Sequence, residues 1–239
     1  MALKTVQYDG KSFDISYEII NPSSKKDIVI LHGWGSNKEI MSNVFKKFLP
    51  SFRHIYIDLP GFGKSSNDYT LTTNDYVNII DSFLSLICAS KDTIMGHSYG
   101  GKVATSLNPN NLVLLSSAGI LEEKSAKVKT KIKIAKLFNA LGLSKITKAF
   151  RSSDVSNMSQ NMYETFKNVV NEDFSDKFKN FQEKAYIFWG EEDSATSLDS
   201  GKKIASLIKN SEFKSYKGTH YFFVENAKDI SERLENGIL

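Results

Sequence analysis

Apolar residues in this chain come as short runs separated by helix-length polar segments. Val6 to Ile20 alternates apolar and polar positions on either side of Asp9-Gly10. That dipeptide suits the positive backbone angles of a tight hairpin, so an antiparallel pair is predicted at the start. Ile28 to Leu31, Ile55 to Ile57, Thr93 to Met95 and Leu112 to Leu115 are nearly unbroken apolar stretches, the pattern of parallel strands covered on both faces. Two further strands, Ala185 to Trp189 and Glu212 to Tyr216, come late. The stretch 121–184 has no comparable run. Within it Val128, Ile132, Ala135, Leu137, Phe138, Leu141 and Ile146 recur at roughly helical spacing, interrupted at Gly142, and predict two amphipathic helices. The expected architecture is α/β: an open, mostly parallel sheet with its ligand site beyond the carboxyl ends of the strands. Residues 1–120 and 185–239 form its core, and 121–184 a helical insertion.

Composition narrows this further. With 239 residues, 41% hydrophobic and 24% charged, the chain suits one folded unit and not a disordered one. Met1 to Gly10 lacks an apolar core of signal-peptide length, and nowhere do about 18 apolar residues run together. No integral membrane segment is expected, and a cytoplasmic location follows. Cys88 is the only cysteine, which excludes an intrachain disulfide and a cysteine metal cage, and its neighbours Phe83, Leu84, Leu86 and Ile87 predict a buried side chain. A net charge of +4 is too small to argue for nucleic-acid binding. Its distribution is uneven: from Leu121 to Arg151 nine basic residues face two acids, Glu122 and Glu123. Such a run is ordinarily a solvated helix face, but it would also suit an acidic partner, such as an acyl carrier protein, or an anionic membrane surface.

The candidate chemistry begins at Thr93-Ile94-Met95, which leads through Gly96-His97-Ser98-Tyr99-Gly100-Gly101 into Lys102-Val103-Ala104. This is a strand, a sharp turn and a helix, the setting that G-x-S-x-G requires to expose its serine. Ser98 is the expected nucleophile. Ile28 to Leu31 ends in His32-Gly33-Trp34-Gly35, a loop whose amides can face outward, so the backbone N–H groups of Trp34 and Tyr99 are the expected oxyanion donors. A serine hydroxyl needs a base. Of the four histidines, His32 opens the oxyanion loop, His54 precedes a strand and His97 adjoins the nucleophile, which leaves His220, just past the last strand. Glu191, Glu192, Asp193 and Asp199 all stand near the preceding strand end. Asp193 is favoured as the orienting acid, with geometry to choose among them.

In order and spacing these motifs resemble the α/β-hydrolase superfamily over essentially the whole chain. His32-Gly33-Trp34-Gly35 is similar to its oxyanion loop, Asp58-Leu59-Pro60-Gly61-Phe62-Gly63-Lys64-Ser65 to its next loop, and Ser98, Asp193 and His220 fall on its triad positions. The resemblance implies an eight-stranded sheet, a helical cap at 121–184 and a serine esterase that uses no cofactor or metal. Two departures stand out. Members often carry proline a few residues after the acid, where this chain has Ala195-Thr196-Ser197, and here Asn108-Pro109 cuts the helix after Ser98 short. Ser98 argues against the related haloalkane dehalogenases and epoxide hydrolases, which use aspartate. The same triad also serves hydrolases that cleave C–C bonds in vinylogous diketones. A non-catalytic ligand-binding member would usually show a damaged triad, and this one is intact. The Asp58 to Ser65 loop reads more simply as turn geometry than as a ligand contact. Trp34, Phe62, Tyr99, Phe138, Leu141, Phe150, Phe166, Tyr221 and Phe222 could line an apolar cavity. Of these, Trp34, Tyr99, Phe138 and Tyr221 are the expected contacts for a small ester.

Overall fold

The computed structural model describes residues 2–121 and 158–238. Its eight strands are β1 (Ala2–Tyr8), β2 (Lys11–Ile20), β3 (Lys26–Leu31), β4 (Phe52–Ile57), β5 (Thr93–His97), β6 (Asn111–Leu115), β7 (Lys184–Gly190) and β8 (Ser211–Tyr216). They form one sheet in the order β1-β2-β4-β3-β5-β6-β7-β8. The first two pairings, β1 with β2 and β2 with β4, are antiparallel, and the rest are parallel. Asp9 and Gly10 both take positive φ, 50° and 69°, the hairpin geometry their side chains permit.

Every central strand is buried on both faces, and the period-2 rule sorts its residues. Val29, Leu31, Ile94, Leu112, Leu114, Ile187 and Trp189 join one core, while Ile28, Ile30, Met95, Val113, Leu115, Tyr186 and Phe188 join the other. Against the first face pack α2 (Thr73–Leu86), α3 (Tyr99–Ser106) and α6 (Leu198–Leu207). Against the second pack α1 (Lys38–Phe45) and α7 (Phe223–Ile238). A capping box between Thr72 and Asp75 starts α2. Cys88, expected to be buried, is exposed. It follows the last residue of that helix cap with φ 51°, and Ala89 N–H reaches back to Leu84 O at 2.9 Å. This left-handed exit turns the thiol off the apolar stripe that Phe83 and Leu84 continue.

Of the insertion expected at 121–184, residues 158–184 are described. They hold α4 (Gln160–Val170) and α5 (Ser175–Asn180). Met162, Val169, Phe174, Phe178 and Phe181 join the first core. Polar bonds tie the segment down, among them Leu71 N–H to Thr165 Oγ1 at 2.9 Å and Phe174 N–H to Gly119 O at 2.8 Å. The helices expected around Val128 to Ile146, the basic residues from Lys124 to Arg151, and Phe138 lie outside the described residues. Among the described residues no helix is long and apolar enough to cross a membrane, and no cluster of three or more His, Cys, Asp or Glu could hold a metal ion.

Candidate active site

β5 passes into α3 at Ser98, whose φ of 51° and ψ of −117° are unusual for a residue with a side chain. Such a conformation costs roughly 1–3 kcal/mol and persists only where its surroundings fix it. Here Ser98 N–H donates to Leu115 O at 3.1 Å, and Ser98 O accepts from Gly101 N–H and Ala118 N–H, each at 3.0 Å. The corner also closes on itself, since a Cβ at Gly100 would lie 2.6 Å from His32 O. Tyr99 N–H belongs to the first turn of α3, where amides have no carbonyl partner within the helix.

The loop after β3 runs alongside: a Cβ on Gly33 would stand 3.0 Å from Ser98 Cβ. His32 governs this loop. Its Nε2 accepts Leu59 N–H at 3.0 Å, which leaves Nδ1 to carry the proton and donate to Gly33 O at 2.8 Å. Burial lowers its pKa to about 4, partly offset by the bond to Gly33, so the ring is neutral. Because C=O and N–H of one peptide point to opposite sides, anchoring Gly33 O on His32 directs Trp34 N–H the other way. The Asp58 to Ser65 loop packs behind. Asp58 accepts Lys38 Nζ at 2.6 Å, Lys38 N–H at 2.7 Å and Lys64 N–H at 3.0 Å, and Phe62 lies edge-on to Trp34.

Past β7 and β8 the carboxylate is singled out by geometry. His220 Nδ1–H donates to Asp193 Oδ2 at 2.7 Å. Asp193 Oδ1 accepts Ala195 N–H at 2.8 Å and Thr196 N–H at 3.0 Å, and Thr196 Oγ1 stands 3.0 Å from Oδ2. Burial alone would raise its pKa, but His220 and the Thr196 amide outweigh it and bring the carboxyl to about 2. By contrast Glu191 accepts from Ser215, Asp199 pairs with Lys202 in solvent, and Glu192 is exposed. The missing proline also finds a reason, since proline would remove an N–H of the kind that Ala195 and Thr196 donate. The two loops approach closely at Gly190, where a Cβ would lie 2.3 Å from Thr219 O.

His97, set aside in the sequence as a bystander, joins the two halves. Its Nε2–H donates to His220 O at 3.1 Å, and its ring lies 4.6 Å from the His220 ring. Burial, then the neighbouring His220, lowers its pKa to about 3. Thus Gly33 and His220, the latter holding Asp193, both approach one neutral, buried ring next in sequence to Ser98. His54 is elsewhere, bonded to Leu49 O and Tyr56.

Ser98 opens into a cavity of about 310 Å³, within the range of small-ligand sites. Trp34, Tyr99, Phe166, Val169 and Ile120 give it an apolar wall. Tyr221 is not part of that lining: it packs on His97 at 5.0 Å and is 43% exposed. Phe222 is buried against Tyr216. The sequence reading missed Lys102 and Glu172, which supply the charged part of the lining beside the polar Ser117, Asn171, Thr196 and Ser200. Lys102 sat in view as the one charged residue of an otherwise apolar helix start, whereas nothing in the sequence links it to Glu172.

Comparison with known proteins bears on the fold and family. A profile of the alpha/beta hydrolase family matches residues 28–208. The pimeloyl-[acyl-carrier protein] methyl ester esterase of Pectobacterium carotovorum is 35% identical over 82 residues, 34% of this chain and 30% of that one. The abhydrolase domain-containing protein abhd-5.2 of Caenorhabditis elegans is 29% identical over 116 residues, 43% of this chain and 26% of that one. These matches therefore span about a third or less of the relatives' lengths. Among solved structures, an esterase from Exiguobacterium antarcticum superposes with a TM-score of 0.76 at 19% identity, covering 98% of each chain. The family match, extending from β3 past β7, shows that the chain belongs to the alpha/beta hydrolase family.

Proposed function

We propose that this protein hydrolyses carboxylic esters or thioesters through an acyl-enzyme on Ser98. The observation that carries the proposal is the His220–Asp193 hydrogen bond at 2.7 Å, set beside the strained serine corner by His97. With its Nδ1 proton committed to Asp193, His220 has a lone pair at Nε2 to accept the Ser98 proton. Ser98 Oγ then bonds to the ester carbonyl carbon, and the oxygen that gains charge is met by Trp34 N–H and Tyr99 N–H. Collapse expels the alcohol or thiol, which takes the proton from His220. Water, deprotonated by the same nitrogen, attacks the acyl-enzyme and frees the acid and Ser98. Asp193 stays ionised throughout and stabilises the imidazolium, as its low pKa favours.

Relatives named for a methyl ester esterase support ester chemistry. Their names also support an acidic acyl carrier as the partner of the basic residues between Leu121 and Arg151. A fluorophosphonate probe followed by peptide mass spectrometry tests the reading. Ser98 should be labelled, and Ser98→Ala should abolish both labelling and p-nitrophenyl ester turnover. A folded protein left unlabelled at Ser98 would overturn it, and faster cleavage of a dienoate diketone than of any ester would move it to C–C hydrolysis.

A further inference from the structure

The cavity beside Ser98 contains an ion pair that ester hydrolysis does not use. Lys102 lies on α3 four residues beyond Ser98 and lines the same cavity. It is 2% exposed. Its ammonium donates to Val169 O at 2.6 Å, pairs with Glu172 Oε2 at 2.8 Å and sits 4.7 Å from the Phe174 ring centre. Glu172 Oε2 also accepts the Thr73 hydroxyl. Both bonds fall on the same carboxylate oxygen, so Oε1 is left over. Glu172 is 31% exposed at its side chain and lines the cavity with Asn171. Lys102 in turn has three protons and two oxygen partners.

Taking two charges out of water is costly, and anchoring α4 would need only one polar bond. Both residues line the cavity, and between them they carry an acceptor, Glu172 Oε1, and an ammonium proton not committed to an oxygen, with no net charge. A neutral group that both donates and accepts fits this arrangement. A free carboxylate would face Glu172, and a plain alkyl end would leave the pair unanswered. Resting on the ester reading above, we infer that the Lys102–Glu172 pair is a specificity subsite for esters whose acyl or alcohol part carries a neutral hydroxyl or amide several bonds from the scissile carbonyl.

Three p-nitrophenyl esters of equal length test this on the full chain: the hexanoate, the ω-hydroxyhexanoate and the half-ester bearing a free carboxylate. The hydroxy ester should exceed the alkyl ester in kcat/KM by about tenfold, the ratio expected of a hydrogen bond to a charged group. Lys102→Met with Glu172→Leu should bring that ratio to near one. Glu172→Gln leaves the Lys102 ammonium uncompensated and should turn the preference towards the carboxylate half-ester, a gain that misfolding cannot imitate. Equal rates for alkyl and hydroxy esters, a wild-type preference for the carboxylate, or a ratio indifferent to both variants would overturn the subsite while leaving the esterase reading intact. Failure of all three esters together with an unlabelled Ser98 would remove both.

Discussion

Asp58, just beyond β4, and Asp193, just beyond β7, are both buried carboxylates that gather backbone N–H groups from the loop that follows. Their partners differ. Asp58 closes on Lys38, a side chain 1% exposed, and every one of its bonds fastens a loop or the start of α1. Asp193 closes on His220, an imidazole 18% exposed at its side chain that has a second ring nitrogen beyond this bond. Burial and hydrogen bonding of a carboxylate therefore do not mark a reactive site. In the proposed mechanism the difference lies in the partner: an imidazole has a second nitrogen to accept a proton while the carboxylate holds the ring still.

Exchanging each acid for its amide should separate the two roles. Asp193→Asn should lower kcat by roughly 10³–10⁴-fold, because the amide misplaces the His220 proton. Ester turnover by a variant whose circular dichroism matches wild type is the measurement, and a near-normal rate would remove Asp193 from the mechanism. Asp58→Asn should act on stability, since it strands the Lys38 ammonium. A loss of about 3–5 kcal/mol, or roughly 10 °C in thermal midpoint, is expected, with turnover per folded molecule within about tenfold of wild type.

Acid should strike the site through its neutral rings. His32 and His97 have pKa values lowered from 6.5 to about 4 and about 3, so below 6.5 the unfolded chain binds protons that the folded chain refuses. The stability they contribute is present above pH 6.5 and is lost as pH falls towards those lowered values, at about 1 kcal/mol per pH unit for each ring. Thermal midpoints at pH 7 and pH 5 check this, and a flat profile would mean that the rings are charged in the fold. The smallest effect belongs to Thr196→Val, which removes one hydroxyl from Asp193 Oδ2. About a fivefold loss of kcat should follow, as for a single hydrogen bond. An unchanged rate would assign that hydroxyl to Ser116 O, 3.2 Å away, instead.

The central strands were legible as apolar runs buried on two faces and the first hairpin as an alternation around Asp9-Gly10, and the eight observed match the expected positions to within a few residues. Cys88 was misread because apolar neighbours say nothing about a residue leaving its helix through a left-handed turn. Among many serines Ser98 stands out in the sequence only through its flanking glycines between a strand and a helix, whereas His220 is one of four histidines and follows the last strand. Asp193 stood among four acids, and what distinguishes it, two amides at 195 and 196 and a ring 27 positions away, is a property of folded loops. His97 and Glu172 were invisible for the same reason: their partners lie 123 and 70 positions distant. Tyr221 was drawn towards the cavity by adjacency to His220, yet successive residues of a tight turn face different ways.

Gly190 places a limit on how this molecule can be redesigned. The acid-bearing loop and the base-bearing loop touch there through the space of one absent methyl group. A library that broadens substrate range can vary Val170 in size, because it lines the cavity and is 46% exposed. At 190 even alanine would act as a wedge between neighbouring loops, so the tolerance of this scaffold to change is set less by its cavity than by a contact several residues removed from it.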